Sequence, residues 1–252
     1  MVRDLEEEKL SFIDHLKELR TRLIRSFLAV LIIFLPLVFF SNDIYEIASS
    51  PLQALMPENS TMIATEVASP FLSPLKLTFY LSLMISIPYC FSEMWRFIAP
   101  GMFKNEKKFA FGLVTSSISL FYLGILFTYF LVFPLVFGFF TSVSPEGVVV
   151  MTDITKYLDF ILNMFIAFGI AFEIPVLIFL LIWAGLTTPE SLAEKRPYII
   201  VSCFVLGMFL TPPDVISQSL LALPAWLLFE TGLLFSRIYN KKNTETKEQE
   251  PD

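Results

Sequence analysis

The sequence predicts an all-α integral membrane protein with six transmembrane helices, both termini on the cytoplasmic side, and short fifth and sixth helices. Three observations carry this prediction. Hydrophobic residues make up 55% of the chain, including 28 Phe, and the mean hydropathy is +0.68, far from what a chain with a water-facing surface carries. The uncharged runs are long enough to cross a bilayer rather than to form the core helices of a soluble fold. All but Lys76 and Lys156 of the 18 Lys and Arg fall at the chain ends, in the second and fourth connections, or at the span ends beside them. The positive-inside rule makes that face cytoplasmic. The net charge of −6 matters less than this placement. Cys90 and Cys203 both fall in apolar segments and read as small buried hydrophobes rather than as a disulfide.

Residues 1–25 are expected to form a cytoplasmic amphipathic helix. Phe12, Leu16, Leu19, Leu23 and Phe27 lie on one stripe at helical spacing, with Asp14, Glu18, Arg22 and Arg25 opposite, a pattern suited to a helix lying on the membrane before turning into it. Glu18 has two readings: an i, i+4 pair with Arg22, or an anionic contact for a cationic ligand. His15, the one histidine, reads as interfacial. The acidic amino terminus lacks a small-residue cleavage site, so the first span is expected to stay as an anchor.

The transmembrane domain is expected over 23–235, with spans at 23–40, 75–97, 109–133, 157–183, 198–210 and 215–235. The connections at 41–74 and 141–156 are expected to carry short interfacial helices. In the second connection, Pro100-Gly101 makes a turn and Asn105 is a candidate N-cap for the third span. Glu106 would then sit in that helix's first turn, where the dipole favours a carboxylate; convergence with Glu18 on a cationic ligand is the competing reading. The fourth span contains Glu173, within Phe168-Gly169-Ile170-Ala171-Phe172-Glu173-Ile174-Pro175-Val176. A charge near the bilayer centre is costly, so it is kept where it faces a cavity, a partner helix or a substrate.

The fifth span has only 13 uncharged residues, 198–210, about 20 Å of helix against a hydrocarbon core of roughly 30 Å. The sixth has an uncharged run of 15, 215–229. Thr211-Pro212-Pro213-Asp214 between them is turn chemistry, so two half-length helices in a hairpin are expected, with local bilayer thinning. Residues 236–252 are expected to form a charged, disordered cytoplasmic tail.

Three separated segments resemble the TatC family, the receptor subunits of the twin-arginine protein translocase. They are His15-Leu16-Lys17-Glu18-Leu19-Arg20-Thr21-Arg22-Leu23, Trp95-Arg96-Phe97-Ile98-Ala99-Pro100-Gly101 through Glu106, and the segment around Glu173. The resemblance spans nearly the whole chain and agrees with six spans and short final helices. It implies a protein of the bacterial or archaeal cytoplasmic (inner) membrane that binds Arg-Arg signal peptides of folded cargo and nucleates a translocation complex driven by the proton gradient. The implied partners are TatA and TatB, further copies of the chain, and the lipid bilayer, with no cofactor and no nucleic acid. The implied signal-peptide contacts are Glu18, Arg20, Phe97 and Glu106; Glu173, Asp214 and Gln218 are implied in intramembrane partner contact and translocation, and Pro51 and Pro88 match the family's prolines. The acidic Glu6, Glu7 and Glu8 and the mixed-charge tail depart from the pattern.

The residues also leave a second class open, a proton-coupled secondary transporter of a small solute using Glu173. Against it stand the lack of a visible internal repeat and of matching broken helices in two halves. An enzyme is not expected: the chain offers no Ser-His or His-Glu-x-x-His arrangement.

Overall fold

The computed structural model describes residues 2–55, 62–102, 107–142, 152–210 and 215–248. Among these described residues, five helices are long and apolar enough to cross a membrane: Ile13–Ser50, Ser69–Phe97, Phe111–Phe139, Ile154–Trp183 and Gln218–Ile238. A shorter apolar helix, Arg196–Phe209, stands before the last of them. The described residues form two compact units, Met1–Ser50 with Val67–Ile118, and Pro51–Glu66 with Ser119–Asp252.

In the first unit, α1 (Val2–Leu37) is one helix from the amino terminus to the end of the first span. No Gly or Pro precedes Pro36 to break it, so the expected boundary near residue 25 is absent: the amphipathic segment and the span are continuous. A three-residue 3-10 turn, Val38–Phe40, leads into α2 (Ser41–Leu55). Helix α3 (Ser69–Met102) runs antiparallel to α1. His15 stacks on Phe97 with ring centroids 4.2 Å apart, and Phe34 meets Phe79 edge to face at 5.7 Å. Thr78, Ser82 and Ser86 form a buried stripe on α3. Each hydroxyl donates to the carbonyl four residues back, at 2.8, 2.7 and 2.6 Å, which satisfies it without a partner helix. Small side chains in such a stripe let helices approach closely in a membrane. Pro88 sits within α3, and Ser92 Oγ donates to its carbonyl at 2.7 Å.

In the second unit the third span is composite: α4 (Lys107–Phe127, whose first half belongs to the first unit), a π-helical segment over Thr128–Val132, and α5 (Phe133–Ser142). Pro134 cannot donate a backbone N–H, and the wider π turn immediately before it absorbs the irregularity. This span packs on α6 (Ile154–Ala171) through Phe127–Phe168 at 5.6 Å, Phe133–Phe165 at 5.1 Å and Phe137–Tyr157 at 5.7 Å. Gly124 makes the approach possible, because a Cβ there would lie 2.7 Å from the Phe168 carbonyl oxygen.

The fourth span continues from α6 into α7 (Ile174–Trp183). A Schellman turn ends it: Gly185 adopts φ 72°, its N–H donates to Ile182 O, and Leu186 N–H donates to Leu181 O, each at 3.0 Å. Thr188 then caps α8 (Pro189–Glu194), accepting from Ser191 N at 3.2 Å. Helices α9 (Arg196–Leu210) and α10 (Val215–Glu248) follow. Ala171, Cys203, Ala222 and Ala225 form one core cluster, and Ile178, Ile182, Phe229 and Leu233 form another. Cys203 is thus the small buried hydrophobe expected, and both thiols are free.

Three expectations change. The fifth span is short, but the last candidate span covers 21 residues, Gln218–Ile238. Glu230, which ended the uncharged run, is neutralised there by Arg196. The segment from 236 onward, expected as a disordered tail, continues α10 as helix to Glu248. The connections expected to carry short interfacial helices were not expected to pair, yet they hold two short strands, β1 (Met62–Ile63) and β2 (Thr152–Asp153), paired in parallel with Met62 opposite Thr152.

Candidate functional site

The end of the α1–α3 pair that holds His15 and Phe97 gathers charge. Arg22 Nε donates to Glu18 Oε1 at 3.0 Å, its Nη2 reaches the same oxygen, and its Nη1 donates to Glu93 Oε2 at 3.0 Å. Arg96 Nη1 lies 3.5 Å from the other Glu93 oxygen. The Glu93 side chain is 2% exposed, Arg22 18% and Glu18 37%. A carboxylate as buried as Glu93 needs a counter-charge in hydrogen-bond contact, and Arg22 supplies it by leaving the solvent-facing side of α1. Glu18 and Arg22 lie opposite the exposed apolar stripe and pair as i, i+4 neighbours, as one of the two readings of Glu18 expected. They turn towards α3, while Leu16, Leu23 and Phe27 are exposed.

Of the predicted signal-peptide residues, the structure brings Glu18 and Phe97 to the same end of one helix pair. Arg20 is exposed and sits about 200° around the helix from Glu18, two residues on at 3.6 per turn. It lines a cleft of about 480 Å³ with Lys17, Thr21, Ile24 and Arg25. Glu106 lies outside the described residues; α4 begins just after it, at Lys107.

In the second unit, Glu173 stands where α6 gives way to α7. Pro175, in the first turn of α7, has no N–H for the carbonyl of Ala171, and the ladder resumes with Leu177 N donating to Glu173 O at 2.9 Å. Glu173 is half-buried, with its Oε1 atom shielded from solvent. Gln218 Nε2 donates to the Phe204 carbonyl at 2.7 Å, tying α10 to α9. Gly207 admits that contact, since a Cβ there would lie 3.2 Å from Gln218 Cγ. Asp214 and the 211–214 turn lie outside the described residues. The backbone of Pro51 is within α2, and Pro88 is half-buried in α3.

Sequence reasoning passed over Glu93 and Glu230. Arg196 donates to the two Glu230 oxygens at 2.6 and 2.8 Å, a fork matched to a carboxylate. The available signal was an acid inside an apolar run with a base at a matching depth in a neighbouring span: Glu93 with Arg22, and Glu230 with Arg196. Asp153 joins the two strand-bearing connections. It accepts from Thr65 Oγ1 at 2.6 Å and Thr65 N at 3.0 Å, and caps α6 by accepting from Lys156 N at 2.9 Å. The Thr65 hydroxyl and then the Lys156 N–H hold its carboxyl down to about 2.

Several long apolar helices, with paired charges inside them and one span broken at an acid, define a multi-pass helical membrane protein. Residues 14–224 match the family described as Sec-independent protein translocase protein (TatC). The Sec-independent protein translocase protein TatC of Azotobacter chroococcum mcd 1 is 57% identical over 229 residues, covering 91% of this chain and 90% of that protein. That of Escherichia coli K12 is 53% identical over 242 residues, covering 96% and 94%. The crystal structure of the twin arginine translocase receptor TatC superposes with a TM-score of 0.80 at 36% identity, covering 89% of this chain and 98% of that one. The chain belongs to the TatC family: it is a translocase receptor subunit, not an enzyme.

Proposed function

We propose that this chain binds Arg-Arg signal peptides of folded cargo at the α1–α3 end that holds Glu18, with that end and both termini in the cytoplasm of a bacterial inner membrane. The observation that carries this is a carboxylate still 37% exposed, Glu18, at the end of the α1–α3 pair where His15 stacks on Phe97. Two adjacent guanidinium groups offer forked donors, and Glu18 and Glu106 each accept a bidentate pair. Lysine keeps the charge and loses the fork, so such a site prefers Arg-Arg to Lys-Lys. Phe97 supplies an apolar wall for the residue beside the arginines. Arg20, on the far side of α1 from Glu18, repels a cationic peptide from that side and so steers it to Glu18.

Bound cargo then recruits TatA and TatB and further copies of the chain into a transport site driven by the proton gradient. Glu173 offers a hydrogen bond to a polar side chain on a partner's single span, and Asp214 and Gln218 serve at the tip of the α9–α10 hairpin. The alternative, a small-solute transporter working through Glu173, is set aside because the full-length relatives are translocase proteins. The test is the affinity of the protein in lipid nanodiscs for an Arg-Arg peptide and its Lys-Lys twin. The expected result is an Arg-Arg preference that a Glu18→Ala, Glu106→Ala variant loses. Equal binding of both peptides by the unaltered protein would overturn the reading.

A further inference from the structure

Glu18 is already occupied by a guanidinium. Arg22 presents Nε and Nη2 to Glu18 Oε1, much as a substrate arginine would, while its remaining nitrogen, Nη1, holds Glu93. One guanidinium therefore serves two carboxylates: one partly exposed and one buried at 2%. The second cation near Glu93, Arg96, is 69% exposed and 3.5 Å away, too loosely placed to satisfy Glu93 alone. The cluster thus has room for one more well-placed cation, and the accessible carboxylate is where it would enter.

We propose that Arg22 is an internal stand-in for the signal peptide's arginine, filling Glu18 in the empty receptor and withdrawing onto Glu93 when the peptide arrives. The proposal rests on the reading of Glu18 as a contact for the arginine pair. Like is exchanged for like. The Glu18–Arg22 pair gives way to a Glu18–peptide pair of the same geometry, and Arg22 turns its fork to the two oxygens of Glu93. At no stage is a desolvated charge left alone, which is the outcome that costs most at buried ion pairs. A peptide lysine has no fork with which to replace the one it displaces, so the exchange itself adds to discrimination between Arg-Arg and Lys-Lys. Glu93 is then a positioning residue. It touches no peptide, yet it sets how tightly Arg22 competes for Glu18.

The effects on affinity run in opposite directions, and this separates the proposal from a structural role. Peptide affinities in nanodiscs are measured for the unaltered protein, Glu18→Ala, Glu93→Gln, Arg22→Lys, and the double variant Arg22→Gln, Glu93→Gln. Glu93→Gln confines Arg22 to Glu18 and is expected to weaken Arg-Arg binding about tenfold, a typical scale for a sheltered charge pair. The double variant removes the competitor and leaves no buried charge alone, so affinity returns to the starting value or above it, and the gap between Arg-Arg and Lys-Lys narrows. Arg22→Lys keeps Glu93 paired, loosens the hold on Glu18, and is expected to tighten Arg-Arg binding. Unchanged binding by Glu93→Gln, a double variant no tighter than Glu93→Gln, or weakened binding by Arg22→Lys would each overturn the stand-in. If Glu18→Ala binds as the unaltered protein does, the assignment of Glu18 itself fails. If Glu18→Ala weakens binding while the Arg22 and Glu93 variants show no such pattern, only the stand-in fails.

Discussion

At the scale of single residues, the acids inside apolar spans separate by what holds them. A charged group near the bilayer centre costs about 2.5 to 3.5 kcal/mol on the insertion scale, so each needs a partner or a polar surface. Glu93 has Arg22, and Glu230 has the fork of Arg196. Glu230→Gln is expected to lower stability by roughly 1 kcal/mol, the scale of a pair still partly in contact with solvent; Arg196→Lys should lose most of that because it loses the fork. Thermal unfolding in detergent checks both, and wild-type melting of Arg196→Lys would show that charge alone suffices. Glu173 stands at a helix break with one oxygen shielded. Glu173→Gln keeps its hydrogen-bonding capacity and should sustain cargo export, whereas Glu173→Ala should reduce it severely. Equal export by the two variants would remove the hydrogen-bonding role.

At the scale of elements, close approach of backbones decides the second unit. A Cβ on Gly232 of α10 would lie 2.8 Å from Pro175 Cα in α7, and a backbone atom cannot step aside. Gly232→Leu is therefore expected to destabilise by about 1 to 3 kcal/mol through overpacking, and a melting temperature equal to that of the unaltered protein would contradict this contact. Helix α9 is a separate case. The apolar stretch Arg196–Phe209 spans about 21 Å at 1.5 Å per residue, short of the roughly 30 Å hydrocarbon core. We propose that the bilayer thins locally beside α9 in response to that mismatch. Spin labels along its outer face should report a shallower membrane than labels on the fourth span, and identical depth profiles would end the thinning proposal.

At the scale of the whole molecule, Asp153 links the connection after α2 to the start of α6 through Thr65 and Lys156. Its folded carboxyl titrates at about 2, below the ordinary Asp value of about 3.9. The sign follows from that direction: the stabilisation is fully present above about pH 4 and fades as pH falls towards 2. Hydrogen exchange at Thr65 and Lys156 should accelerate over that window in the unaltered protein, and an Asp153→Ala variant should exchange fast throughout. Orientation is a second whole-molecule property. Single cysteines at Thr65 and Lys242, in a chain freed of its own thiols, should label from opposite sides of the membrane, and labelling from one side would refute cytoplasmic termini.

The sequence by itself determined the membrane class, the number and order of the apolar helices, the short fifth span, and the family, because hydropathy, length and motif are local properties of the chain. It could not show that α1 runs through residue 25 without a break, or that Glu230 is absorbed into the last span. Those depend on which helix faces which: a charge counts as a breaker when its run is read alone, and as a span residue once a counter-charge meets it from a neighbouring helix. Glu18 shows the division most clearly. An i, i+4 pair with Arg22 and a ligand site read as alternatives along the chain. The structure shows the pair, the packing of α3 brings Glu93 to the other end of the same guanidinium, and under the stand-in proposal the two readings become two states of one cluster.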